Sequence, residues 1–281
     1  MSLKVDIRTL LYRSLPPRVF AFIRLHGLYL MFDFQTFTSF FVRSAPLVRS
    51  FSEVSGTSSL AMTLRNVNLL ARTALCKVML RHGSDKSHFH NYTTVYSVLF
   101  TKFKSSPLKI FELGLGSNNL DVPSNMGVSG VPGASLRGWR EFFPNAHIYG
   151  ADIDRGILFQ ESRIMTFHCD QLNQSAIGEL WSTPELRDGA DIIIEDGLHT
   201  FEGNTSFLER SLDHLRPDGI YVIEDIDKDD LDKWLSRIEA VYARKYPKFD
   251  FAITSLPTDA GLRDNNLLII RRTDNRIPGG Q

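Results

Sequence analysis

Cysteine is nearly absent from this chain. Cys76 and Cys169 are its two, and they lie far apart and outside any Cys-x-x-Cys spacing. A disulfide scaffold and a thiolate zinc site are thereby excluded, and a reducing, cytoplasmic setting is expected. No apolar run at the N-terminus reaches the ~7–15 residues of a signal core, because Asp6, Arg8 and Arg13 interrupt it. Nor is there the nearly uncharged stretch of ~20 residues that a spanning helix wants: the most apolar segment, residues 19–42, contains Arg24, His26, Asp33 and Gln35. Net charge is missing too, with 32 Lys+Arg against 32 Asp+Glu, so nucleic-acid binding through a general basic surface is disfavoured. That zero conceals an asymmetry. Residues 1–105 carry 14 basic and 4 acidic side chains, which leaves 18 and 28 for residues 106–281 and gives the two parts about +10 and −10.

What is present reads as one large domain with an extension: 281 residues, 43% hydrophobic and 23% charged. The boundary is placed at residue 80. In the extension, 1–80, the 19–42 segment has helical period, with Phe20, Ile23, Gly27, Leu30, Phe34, Phe37 and Phe41 in one stripe and Phe22, Leu25, Tyr29 and Phe32 on a second flank. Such a helix wants cover on most sides, from the main domain or a sister subunit; peripheral contact with a membrane surface is the alternative. A homo-oligomer is expected. Pro16-Pro17 and the run 50–59 punctuate this part, and helical patterning resumes over 60–80.

In 81–281, seven short strand-like runs (108–113, 147–152, 164–168, 190–195, 219–224, 249–254 and 267–271) alternate with helical stretches at 134–143, 174–181, 204–215 and 231–246. That alternation predicts an α/β fold on a parallel sheet. No helix separates the last two strands, which predicts an antiparallel hairpin at the sheet edge.

Phe-Glu-Leu-Gly-Leu-Gly-Ser, 111–117, puts Glu112 near the carboxyl end of a buried strand and follows it with glycines. A Gly-x-Gly there suits a nicotinamide cofactor, a flavin or S-adenosylmethionine. A dinucleotide fingerprint needs a third glycine where this chain has Asn119. Acids instead end the next two strands, Asp152 and Asp170. A cationic ligand with a ribose diol and an adenine amino group wants carboxylates at such places, and S-adenosylmethionine is that ligand; helix capping is the plainer alternative, strongest for Asp154. The long Gly-, Pro- and Ser-rich segment 118–133 reads as a lid or acceptor wall.

Two further strands end in acid pairs. Asp-Ile-Ile-Ile-Glu-Asp-Gly-Leu-His, 191–199, supplies Asp196 and His199, and Tyr-Val-Ile-Glu-Asp, 221–225, supplies Glu224 and Asp225. Adjacent parallel strands finish side by side, so three carboxylates should converge. A hard divalent cation offsets that charge, and oxygen donors select Mg²⁺, Ca²⁺ or Mn²⁺ over zinc. His199 suits either a fourth ligand or a base facing a metal-held hydroxyl.

Gly-Ser-Asp-Lys at 83–86 with Tyr92 and Tyr96, the 111–116 motif, Gly-Ala-Ser-Leu-Arg-Gly-Trp at 133–139, Asp-Gln at 170–171, Glu-Asp-Gly-Leu-His at 195–199 and Gly-Ile-Tyr-Val-Ile-Glu-Asp at 219–225 occur in order. Over residues 80–272 the set resembles the metal- and S-adenosylmethionine-dependent sugar O-methyltransferases of macrolide biosynthesis, the mycinamicin type. The resemblance implies a class I, Rossmann-like methyltransferase fold and methyl transfer to a sugar hydroxyl of a glycosylated natural product or glycan. It implies Mg²⁺ on Asp196, Glu224 and Asp225, His199 as base, and cofactor contacts at Lys86, Glu112, Gly114, Ser135, Asp152, Asp170 and Gln171. Glu195, where an aspartate is expected, the longer 118–133 loop and the unmatched first 80 residues are departures.

Overall fold

The computed structural model describes residues 46–51, 59–87, 89–258 and 261–274; the helix expected over 19–42 lies outside them. One mixed sheet organises these residues. Its strands are β1 (Leu47–Phe51), β2 (Lys109–Leu113), β3 (His147–Asp152), β4 (Gln160–Glu161), β5 (Ile164–His168), β6 (Ala190–Glu195), β7 (Leu215–Ile223), β8 (Phe249–Ser255) and β9 (Asn266–Arg272), in the spatial order β1-β8-β9-β7-β6-β2-β3-β5-β4. All seven expected strands are there, and the described residues form nine. The additions are β4, two residues folded back on β5, and β1, which pairs antiparallel with β8.

Strands β5, β3, β2, β6 and β7 run parallel. The expected hairpin of β8 and β9 forms, but β9 inserts between β7 and β8, and β1 takes the outermost position on that side.

The parallel strands are apolar on both faces, as strands covered by helices on both sides must be. Ile110, Ile148, Ile192, Ile194, Val222 and Ile269 face one core, while Phe111, Leu113, Ile193, Tyr221, Ile223 and Leu268 face the other. Helices α1 (Ser59–Arg65), α2 (Ala74–His82), α3 (Tyr92–Phe100) and α4 (Ala134–Phe142) close the first core with Leu60, Leu64, Met79, Tyr96 and Trp139. Residues assigned to the extension by sequence thus share a core with the sheet. Helices α5 (Gln174–Trp181), α6 (Phe201–Ser211) and α7 (Leu231–Arg237) close the second with Trp181, Phe207 and Trp234. Local chemistry sets their ends: Thr73 caps α2, Asn173 caps α5 and Thr200 caps α6, each through its side-chain oxygen. Because β2, β3, β6 and β7 point the same way, the acids after each of them emerge along one edge of the sheet.

Candidate active site

A cavity of about 200 Å³ opens at that edge, and Glu112, Gly114, Asp152, Asp170, Asp196 and His199 are among its lining. Asp152 is buried, and its two oxygens accept from the backbone N–H groups of Leu115 (2.7 Å) and Asp154 (2.8 Å), which ties the loop after β2 to the loop after β3. Burial raises its pKa, against these backbone donors. Asp154 does cap the short turn 155–157, through Gly156 N, and also accepts from Ser117 Oγ at 2.5 Å. Glu112 sits at the floor, wholly buried, with Ser135 Oγ and Trp139 Nε1 each donating at 2.5 Å. Burial lifts the Glu112 carboxyl above its ordinary range, against the pull of Lys86.

Gly114 is required by a close approach of backbone. It adopts φ +87°, and a Cβ there would lie 1.8 Å from the carbonyl oxygen of Asp196. The loop after β2 is thereby pressed onto the loop after β6, joining the two halves of the site.

The acids after β6 and β7 converge as expected. Asp196, His199 and Asp225 each offer an atom, all within 4.8 Å of one another. His199 Nε2 is 3.1 Å from Asp196 Oδ1 and 3.6 Å from Asp225 Oδ2. Glu224 lies alongside but is engaged elsewhere: Tyr96 Oη donates to its Oε1 at 2.5 Å and Lys86 Nζ to its Oε2 at 2.6 Å. Tyr92 Oη donates to Asp225 Oδ1 at 2.5 Å, and His90 Nδ1 is 3.6 Å from the same atom. Lys86, expected at the cofactor, contacts carboxylates: it also donates to Asp196 Oδ2 at 2.5 Å and is 3.6 Å from Glu112 Oε1.

These contacts set the charges. Burial alone would discharge Lys86, but Asp196, Glu112 and Glu224 hold its pKa well above the ordinary value. Burial also works against an ionised Asp196, yet Lys86 and His199 keep it well below the usual carboxylate range. Burial lifts Glu224, with Lys86 opposing and Asp196 reinforcing. For His199, burial pushes down, but the hydrogen bond and charge of Asp196, with Asp225, raise it to about 9. Two site residues have left-handed backbone, His199 at φ +58° and Asp225 at φ +52°, conformations that cost a non-glycine residue about 1–2 kcal/mol.

Gln171 lines the cavity, but its amide is spent on protein: Nε2 donates to Glu195 Oε1 at 2.5 Å and Oε1 accepts from Leu198 N at 2.8 Å. Glu195, buried and also in contact with Tyr221 Oη at 3.3 Å, anchors this strut under the turn that carries His199. Asp170 uses one oxygen on Leu172 N. The 118–133 segment forms a wall, with Val122, Ser124 and Met126 on the cavity and Ser124 Oγ donating to Leu198 O at 2.9 Å. Sequence reasoning missed the roles of Trp139 at Glu112 and of His90 at Asp225.

No family model matches the chain. The strand order and the cavity at the carboxyl edge define a class I methyltransferase fold, and solved structures share it. The MycE methyltransferase from the mycinamycin biosynthetic pathway, in complex with Mg and SAH, superposes with a TM-score of 0.54 at 24% identity, covering 75% of this chain and 58% of that one. Among curated proteins, the chain is 32% identical over 152 residues to the 8-demethyl-8-alpha-L-rhamnosyl tetracenomycin-C 2'-O-methyltransferase of Streptomyces olivaceus, covering 54% of this chain and 37% of that one. It is 33% identical over 138 residues to the demethylmacrocin O-methyltransferase of Streptomyces fradiae (49% and 32%), and 31% identical over 154 residues to the mycinamicin VI 2''-O-methyltransferase of Micromonospora griseorubida (54% and 36%). Sugar O-methyltransferases of macrolide and tetracenomycin pathways are thus homologues of this chain, which spans about a third of the length of these relatives.

Proposed function

We propose that the chain transfers a methyl group from S-adenosylmethionine to a sugar hydroxyl of a glycosylated small molecule, with a divalent metal. The observation that carries this is the meeting, beside one cavity, of Asp196, Asp225 and His199 with Glu224 next to them, across the Gly114 contact from Glu112 and Asp152. The homologues act on such sugars by name.

The donor set fits the metal. Carboxylate oxygens suit a hard cation, and Asp196, Glu224 and Asp225 would hold it, with His199 beside them. A cation there supplies Lewis acidity that polarises an acceptor hydroxyl. Asp152 offers carboxylate oxygens that already accept one hydrogen bond each and retain a lone pair for a ribose diol. Glu112, fixed by Ser135 and Trp139, supplies negative charge on the floor. His199 would take the acceptor's proton at Nδ1, because Nε2 faces the acceptor-only carboxylate of Asp196, a contact that orients its ring. The 118–133 wall bounds the acceptor's side and excludes water.

Calorimetric titration with S-adenosylhomocysteine tests this reading. Wild type should bind, and Asp152→Ala should lose at least ~10-fold in affinity, one charge-assisted hydrogen bond's worth. Methyl transfer to glycosylated macrolide or polyketide acceptors should stop on chelation and return with Mg²⁺. Undiminished binding by Asp152→Ala, or turnover in chelator, would overturn it.

A further inference from the structure

Lys86 is the most deeply placed cation of the site, 2% exposed, on a short turn (Asp85–Ser87) behind α2. Its ammonium lies 2.5 Å from Asp196, 2.6 Å from Glu224 and 3.6 Å from Glu112. With Tyr96 on its other oxygen, Glu224 has both oxygens engaged within the protein, and Asp196 likewise divides its oxygens between Lys86 and His199. Three buried or half-buried carboxylates, those of Glu112, Asp196 and Glu224, therefore share one fixed ammonium.

We propose that Lys86 is a resident counter-ion that competes with the divalent metal for Asp196 and Glu224 and so keeps the metal weakly held and exchangeable. This rests on the reading of the acidic cluster as a metal site. Two cations drawn to the same oxygens repel each other, most strongly where water does not screen them. The lysine cannot withdraw into solvent from its buried turn, so its charge opposes the metal throughout. A lysine that merely propped the site open would act oppositely, since its loss would disorder the ligands and weaken metal binding.

The experiment is Mn²⁺ binding to the chelator-stripped 281-residue chain, read by the electron paramagnetic resonance of free Mn²⁺. Lys86→Met should bind at least ~10-fold more tightly than wild type, and Lys86→Arg, which keeps the charge, within ~3-fold of it. Equal or weaker binding by Lys86→Met overturns the proposal. Wild-type binding that survives Asp196→Asn overturns instead the metal reading of the cluster. Should Lys86→Met fail to fold, wild type still decides. The ¹⁵N signal of the buried Lys86 ammonium, identified by its absence in Lys86→Arg, should move on saturation with Mg²⁺, and an unmoved signal overturns the competition.

Discussion

His199 shows how a few contacts decide a protonation state. Its pKa, raised to about 9 from 6.5, means that the metal-free protein carries an imidazolium at neutral pH. A group whose folded pKa lies above its unfolded one contributes stability that is complete below the unfolded value and is lost as pH rises through the folded one. In chelator, urea unfolding should therefore show wild type exceeding His199→Gln by on the order of 2–3 kcal/mol near pH 6, with the gap closing by pH 9.5. A gap independent of pH would mean that Asp196 and Asp225 do not hold the imidazolium. In the metal-loaded enzyme, His199→Ala should lower kcat by ~10²–10⁴ while leaving S-adenosylhomocysteine affinity largely intact. The meeting of Asp196 and Asp225, with His199 and Glu224 beside them, was legible in the sequence, because acids ending adjacent strands of a parallel sheet finish side by side. The engagement of Lys86 was not, since its partners lie 110 and 138 positions away and no local pattern encodes such a contact. The left-handed backbone at His199 and Asp225 was equally hidden, because histidine and aspartate carry no sign of it.

Among elements, the loops after β2 and β6 depend on one glycine. At Gly114 the obstacle to a side chain is backbone, the Asp196 carbonyl, whereas at Gly116 it is the thioether of Met126, which can swing aside. Gly114→Ala should cost about 3 kcal/mol or more through strain and overpacking, and should weaken both cofactor and metal binding because Glu112 and Asp196 move apart. Gly116→Ala, with φ +78°, should cost only about 1–2 kcal/mol from its left-handed backbone. Calorimetric unfolding of the two variants compares them directly, and equal losses would refute the close approach. The sequence announced the glycines but suggested a backbone turning under a ligand; that one of them abuts a second strand's loop depends on the β2–β6 adjacency. Strand period, similarly, located five parallel strands and the hairpin. It missed β4, whose two residues are too few for a pattern, and β1, whose five residues include Arg49 and Ser50 beside a serine-rich run. Nor does consecutive order reveal that β9 inserts between β7 and β8.

At the scale of the whole molecule, the described elements of the basic first third meet the acidic remainder in the sheet, since β1 and α1 belong by sequence to the former and pack on the latter. Arg271, on β9, donates to Ser59 Oγ at 2.7 Å and to Asp250 at 3.2 Å, so that junction is polar at its rim and apolar within. Strand β1 covers β8 in full register, from Leu47 opposite Ser255 to Phe51 opposite Phe251. Without it β8 becomes an edge whose Phe251 and Ile253, 0% and 3% exposed, border unpaired backbone, the arrangement that invites edge-to-edge association. Two truncations separate this effect from that of the preceding residues. A chain beginning at Pro46 keeps β1, and one beginning at Gly56 does not. If β1 is the cover that matters, the first should retain the melting temperature and the second should melt several degrees lower and form large species in light scattering, given that about 1 kcal/mol moves a melting point by a few degrees in a domain of this size. A chain beginning at Pro46 that aggregated as readily as the shorter one would refute β1 as the cover that matters.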